Sequence, residues 1–206
     1  MRIEGIKRIV ESRSIKALLH FTRLENIPSI LENGLVSRSS ISAEAIFNDH
    51  QRLDERRDTI SLSISFPNYL MFYKYRQDMQ GKWCVIGINP AVLWDLECLF
   101  CKHNAADSRI SSLPDEQLTL PESLADMFVD SDISPTRADL KLQDCDPTDP
   151  QAEVLVKNII PKEYILGIVF PDTPSKEQYL HLSDRMKIME HNRNKGYFAS
   201  RTYVRR

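Results

Sequence analysis

The 206-residue chain has no long hydrophobic run. Crossing a bilayer takes about 20 consecutive apolar residues, so no transmembrane segment is expected. The N-terminus has no apolar signal-peptide core, which points to a cytoplasmic location. There is no glycine-rich GxGxxG fingerprint, which argues against hydride transfer on a dinucleotide-binding Rossmann unit. Neither charge is in excess: 27 Lys and Arg face 29 Asp and Glu, a formal net charge of −2. A purely electrostatic nucleic-acid binder is normally basic, so any phosphate contact needs a local patch. There is no internal repeat. Of the four cysteines only Cys98 and Cys101 form a CxxC pair. Structural zinc usually takes two such pairs, so no metal is expected. These cysteines are read as thiols packed beside Leu99 and Phe100.

The chain does have enough apolar material, 42% hydrophobic against 27% charged residues, for one compact domain over 1–206. Ile3, Ile6 and Val10 mark an amphipathic N-terminal helix. Lys16 to Phe21 reads as a strand ending in His20. Asn26 caps a short helix with Pro28 in its first turn, and Gly34 stops it. Residues 36–58 are polar and aperiodic, and a stretch this long between strands is either functional or disordered. Thr59 to Phe66 alternates apolar and small polar residues, as a half-buried strand does. Pro67 opens an aromatic helix carrying Tyr69, Phe72, Tyr73 and Tyr75.

Trp83 to Ile88 is a strand stopped by Pro90. Pro114 to Val129 is helical, with a break at Pro121. Residues 144–150 (DCDPTDP) form an acidic turn, followed by strands at Glu153–Val156 and Tyr164–Phe170. Ser175 to Met189 is predicted as a helix, and an edge strand is expected through Tyr197 and Tyr203. This order of elements indicates an α+β fold. The C-terminal stretch holds Arg185, Lys187, Arg193, Lys195, Arg201, Arg205 and Arg206 against Asp184 and Glu190. It reads either as a solvated surface or as a phosphate-binding patch.

Three features carry chemistry together: His20 at a strand end, the Arg-containing segment 48–54, and Glu153 at the mouth of an apolar strand. A carboxylate placed there borders the core yet faces outward, which suits a group that must stay charged and fixed.

The segment LLHFTRLENIPSILENGL (18–35) resembles the opening of the DarT family of ADP-ribosyltransferases. So do Asn48-Asp49-x-x-Arg52 followed by ISLSISFPNYLMFYKYR, NAA at 104–106, and QAEVLV at 151–156. The resemblance runs from about residue 16 to about residue 170, with its motifs in order. It implies an ADP-ribosyltransferase fold, a split β-sheet with surrounding helices and an NAD⁺ cleft. Residues 38–58 would be the NAD⁺-binding loop and 107–150 a helical and loop insertion.

By the same carry-over Glu153 would be the catalytic glutamate on the nicotinamide ribose. His20 would hold the adenosine ribose, with Thr22 and Asn48 as further cofactor contacts. Arg52 would serve both catalysis and the diphosphate. Asn104, His103 and Tyr75 would meet the DNA substrate. Thymidine-modifying relatives have a His near position 104; here Asn104 stands there with His103 beside it. The resemblance favours the guanine-modifying branch, with thymine as the other choice.

It also implies NAD⁺ as a substrate without metal, single-stranded DNA as the acceptor, and a macrodomain-type antitoxin as partner. Breaking the nicotinamide–ribose bond develops oxocarbenium-like charge, which a fixed carboxylate stabilises through the ribose hydroxyl. Unpaired DNA spares the cost of unstacking a base. Two other readings stay open: the same transfer to RNA or protein, and a non-enzymatic nucleic-acid-binding module.

Overall fold

The computed structural model describes residues 1–37, 39, 56, 58–78, 81–130, 135–191 and 195–205. Its helices are α1 (Arg2–Ser12), α2 (Ile27–Asn33), α3 (Tyr69–Asp78), α4 (Val92–Asp95), α5 (Ser108–Ser111), α6 (Asp115–Leu118), α7 (Pro121–Asp126), α8 (Thr173–Glu177) and α9 (Arg201–Val204). The strands are β1 (Leu18–Arg23), β2 (Leu35–Val36), β3 (Thr59–Ile64), β4 (Trp83–Ile88), β5 (Cys98–Cys101), β6 (Glu153–Lys157), β7 (Ile159–Ile160), β8 (Ile165–Phe170) and β9 (Lys187–Glu190). Seven of these make one mixed sheet in the order β5-β6-β3-β1-β4-β8-β9, and β2 pairs with β7. Only β8 and β9 run parallel in the large sheet. The α+β expectation agrees with this architecture.

Alternation along the strands sends side chains to two different environments. On one face Leu18, Ile60, Ile64, Ile86, Val154 and Ile168 join Ile6, Val10 and Ile27 in the principal core. Burying each such side chain contributes roughly 1.5–3 kcal/mol. The opposite face carries two separate apolar clusters. Leu19, Val85 and Val169 pack under Phe72, Trp83 and Phe198; Leu99, Cys101 and Leu155 pack under Ala105, Ile110 and Leu118. Between these two clusters lies β3, whose residues on that face are Thr59, Ser61 and Ser63.

The sheet also opens at this point. β1 pairs with β4 from Leu18 to Arg23, whereas its pairing with β3 is confined to Leu18–Ile64 and Leu19–Ser63. From His20 onward β1 parts from β3, so the sheet is split.

Pro28 does sit in the first turn of α2, and Gly34 ends it at φ +80, where a side chain would strike the Ile160 carbonyl. Asn26 precedes α2 without capping it through its side chain; its amide donates instead to the Thr22 hydroxyl at 3.0 Å. Cys98–Cys101, to which the sequence assigns no element, is a strand, β5. Two expectations need correction. The predicted 175–189 helix is only the short α8, a 3₁₀ turn at Leu180–Leu182, and strand β9. Pairing with β8 wins Lys187–Glu190 for the sheet, a tertiary override of local pattern. The C-terminal edge strand is instead a 3₁₀ turn at Gly196–Phe198 and helix α9.

Cys98 and Cys101 leave opposite faces of β5, Cys98 into the principal core and Cys101 under Ala105. A strand therefore cannot present them to one metal. Burial pushes the Cys98 thiol up to about 12, and the four cysteines form no disulfide. Among the described residues no helix is long and apolar enough to cross a membrane.

Candidate active site

Glu153 opens β6 opposite Cys101 of β5 and is 6% exposed. Asn104 Nδ2 donates to its Oε1 at 3.2 Å, and the Ala105 backbone N–H donates to Oε2 at 3.4 Å. Asn104 is itself fixed, because its Oδ1 accepts from Ala106 N–H at 3.0 Å. The loop after β5 thus bends over the start of β6 and holds the carboxylate with directed donors.

Just upstream, Asp149 accepts a hydrogen bond from His103 Nδ1 at 2.6 Å. Its other oxygen accepts from Gln151 N–H at 2.8 Å, and its backbone carbonyl accepts from Ala152 N–H at 3.1 Å. A carboxylate only accepts, so Nδ1 carries the proton. His103 and Asn104 are adjacent, and each engages one carboxylate of the 149–153 segment.

The 144–150 turn feeding Glu153 is gripped by three arginines. Arg201, 5% exposed, donates to the Pro147 and Thr148 carbonyls at 2.7 and 3.1 Å. Arg205 forks onto the fully buried Asp146 with two 2.8 Å bonds. Arg137 reaches the Asp146 carbonyl and Thr148 Oγ1 at 2.7 and 3.0 Å. Two members of the basic C-terminal patch therefore face inward and hold the polypeptide, which corrects the phosphate-binding reading for Arg201 and Arg205. Arg185, Lys187 and Lys195 are exposed. Arg193 and Arg206 lie outside the described residues.

His20 lies at the split. Its Nδ1 sits 3.0 Å from the Ser61 carbonyl; a carbonyl only accepts, so this nitrogen is the N–H, and Nε2 is the acceptor nitrogen of the neutral ring. Continuing the β3–β6 register places Glu153 level with Ser63, and Ser63 is level with Leu19. His20 and Glu153 thus lie within one residue of the same height, two strand spacings or about 10 Å apart. In an unbroken sheet alternation would send them to opposite faces. His20 Nδ1 reaches Ser61 of β3 across the opening between β1 and β3.

Thr22, buried on the same side of β1, accepts from Asn26. Tyr75 lies elsewhere: its ring stacks on Trp83, with centroids 6.2 Å apart and an 8° interplanar angle, and tilts against Phe21. That is the aromatic cluster over β1 and β4, not the Asn104 loop. Asn48 and Arg52 lie outside the described residues, as does most of the 38–58 loop. Arg56, next to it, is anchored to Asp115 Oδ1 and the Leu113 carbonyl, both at 3.2 Å.

Sequence reasoning named Glu153, His20, Asn104 and His103. It missed Asp149 and Ala105 as the groups that hold them. The Asp-Pro spacing of the 144–150 turn was the one signal for Asp149.

No curated protein matches the chain by sequence. Similar solved structures do exist. DarT from Thermus sp. 2.9 in complex with ADP-ribosylated ssDNA superposes with a TM-score of 0.58 at 15% identity, over 87% of this chain and 95% of that one. The same protein in complex with NAD⁺ gives 0.54 at 15% identity, over 85% and 94%. Thermosipho africanus DarTG in complex with ADP-ribose gives 0.55 at 16% identity, over 86% of this chain; the present chain spans only half of that one. At such identities the likeness establishes the fold. The profile of the family described as "ssDNA thymidine ADP-ribosyltransferase, DarT" matches residues 19–199, and the chain therefore belongs to the DarT family.

Proposed function

We propose that this protein transfers ADP-ribose from NAD⁺ to a base in single-stranded DNA and releases nicotinamide. The observation that carries the reading is the placement of Glu153: a nearly buried carboxylate, fixed by Asn104 and Ala105, beside a split sheet whose far lip holds His20. The family match supports it, and the Thermus relative is seen with NAD⁺ and with ADP-ribosylated ssDNA.

Glu153 accepts from the 2′-OH of the nicotinamide ribose and stabilises positive charge as the glycosidic bond breaks. In a preorganised site such stabilisation is worth several kcal/mol. His20 Nε2 and Thr22 hold the adenosine ribose. Arg52 pairs with the diphosphate in the forked geometry guanidinium allows, with Asn48 beside it. Asn104 and His103 border the acceptor base, while Tyr75 serves the aromatic cluster. The sugar carbon loses nicotinamide, which departs neutral with the bond pair, and gains the base nitrogen.

The family description names thymidine, so thymidine is the first acceptor to test and nothing in the match favours guanine. The guanine reading rests on sequence resemblance and on Asn104 standing where thymidine-modifying relatives carry a His. The partner carried over from the resemblance is a macrodomain-type antitoxin that removes ADP-ribose; the Thermosipho africanus relative is named DarTG.

Oligonucleotides each lacking one base type, incubated with NAD⁺ and weighed by mass spectrometry, test acceptor and base together. A mass gain is expected on single-stranded DNA, lost in Glu153→Ala along with toxicity on expression. Modification of RNA or protein alone would replace the acceptor, and an equally active Glu153→Ala would remove Glu153 from the mechanism.

A further inference from the structure

The loop after β5 serves two carboxylates through two adjacent side chains, and only one has been given a task. Asn104 fixes Glu153. His103, one residue earlier, is fixed by Asp149 at 2.6 Å, and Asp149 is held in turn by Gln151 N–H. An imidazole oriented through Nδ1 by a carboxylate has its lone pair on Nε2 and gains stability when Nε2 takes a proton. The side chains of the pair are 21% and 24% exposed, so the ring is oriented yet reachable. A solvated surface pair has no cause to be so short or to have its carboxylate pinned from both oxygens.

The transfer proposed above needs such a group. When C1′ of the ribose bonds to a base nitrogen, that nitrogen must shed its N–H proton. Glu153 is poorly placed to receive it while it faces the ribose hydroxyl and accepts from two protein donors. We infer that His103, oriented by Asp149, is the general base for the acceptor nitrogen, leaving Glu153 to the ribose. In this step the C1′–nicotinamide bond breaks with its electron pair going to nicotinamide. The nitrogen lone pair of the base forms the new C1′–N bond, and the N–H proton passes to His103 Nε2. Asp149 balances the imidazolium until the proton goes to solvent. The inference rests on the acceptor reading of the preceding subsection.

Among the described residues, the charged groups around the ring come from three elements: Asp149 from the 144–150 turn, Glu153 from β6 through Asn104, and Asp107 at the start of α5. Asp107 is held well below the usual carboxylate range by its hydrogen bonds to Arg109, so it stays ionised at any pH where the enzyme is assayed. Lys102 is the chain neighbour, and Arg109 offsets Asp107.

The test compares base modification with NAD⁺ hydrolysis, in which water is the acceptor. For His103→Gln the ratio of base modification to hydrolysis is expected to fall about 100-fold, the low end of general-base effects. The KM for NAD⁺ should stay within about twofold. Base modification by His103→Gln within about threefold of wild type, or equal loss of both reactions, overturns the inference while leaving the acceptor reading intact. A wild type that cleaves NAD⁺ but modifies no base overturns both. Nitrogen-15 imidazole spectra of the unaltered protein judge the dyad without any acceptor: a protonated Nδ1 with a bare Nε2 is expected, and an Nε2–H tautomer overturns it.

Discussion

Asn104 Nδ2 donates to Glu153 Oε1 at 3.2 Å while Asn104 Oδ1 accepts from Ala106 N–H at 3.0 Å. One amide therefore both turns the loop and aims the carboxylate. A hydrogen bond to a charged group is worth about 1.5–3 kcal/mol, and each 1.36 kcal/mol is tenfold in rate. Asn104→Ala should thus lower kcat by roughly 10- to 100-fold, with a smaller change in KM for NAD⁺. Asn104→Asp should be worse, since it sets a second carboxylate against the first. Steady-state kinetics with an oligonucleotide acceptor read this directly, and an unchanged kcat in Asn104→Ala would show that the bond does not orient Glu153.

Arg201 makes a different prediction, because it stabilises rather than reacts. It is buried and its guanidinium donates to the Pro147 and Thr148 carbonyls. Burial pushes its pKa down from the ordinary arginine range, with Asp146 and Asp149 drawing it back. Arg201→Ala orphans both carbonyls and should cost about 3 kcal/mol, or roughly 6–12 °C in melting temperature for a domain of this size. Arg185, from the same basic stretch but exposed, should tolerate alanine within about 0.5 kcal/mol. Calorimetry of the two variants separates the clamp from the surface; equal melting temperatures would return Arg201 to the solvated tail.

The contrast between Arg201 and Arg185 shows what a one-dimensional reading holds. β1, β3, β4, β6 and β8 announce themselves because burial of one or both faces imposes a pattern on consecutive residues. β5 is only Cys-Leu-Phe-Cys, too short for a period, so its cysteines were read and its strand was not. β9 is Lys-Ile-Met-Glu, which local pattern assigns to a helix; the exposed edge of β8 makes it a strand.

The site divides the same way. His20, Glu153, Asn104 and His103 were named because motifs carry residue identity. Asp149 and Ala105 were not, because a donor meeting an acceptor 46 or 48 residues away leaves no trace in local sequence. Nor did spacing reveal that the CxxC cysteines diverge or that Tyr75 belongs to the aromatic cluster.

His191 supplies a pH dependence. Its Nδ1 accepts the Tyr197 backbone N–H at 3.2 Å, which requires that nitrogen to be bare, and burial lowers its pKa below the ordinary histidine value. Gly196 fits beneath it at φ +55, where an added side chain would strike the ring. The sign follows from linkage. Below about pH 6.5 the unfolded chain binds a proton that the folded one still refuses. Stability present above that pH is lost as pH falls through the folded-state pKa. The urea midpoint should therefore drop as pH falls below about 6.5. His191→Asn retains an acceptor for Tyr197 and should flatten that drop; an undiminished drop would assign it to other groups.

Ser65 stores strain where β1 and β3 last touch. It sits at φ 59, in the left-handed region that costs a side-chain-bearing residue about 1–2 kcal/mol. Its N–H donates to the Ala17 carbonyl at 3.1 Å, and its hydroxyl is buried without a partner among the described residues. Ser65→Gly removes both penalties at the cost of a more flexible unfolded chain, worth about 0.5–1 kcal/mol. The balance favours the variant by roughly 1–2 kcal/mol, or about 2–8 °C. Ser65→Ala, which removes the orphan hydroxyl but keeps the side-chain strain, should gain less. The order of melting temperatures, glycine above alanine above serine, is the measurement. A glycine variant that melts below wild type would mean that the left-handed turn is not strained, and that Ser65 is held by something its hydroxyl contributes.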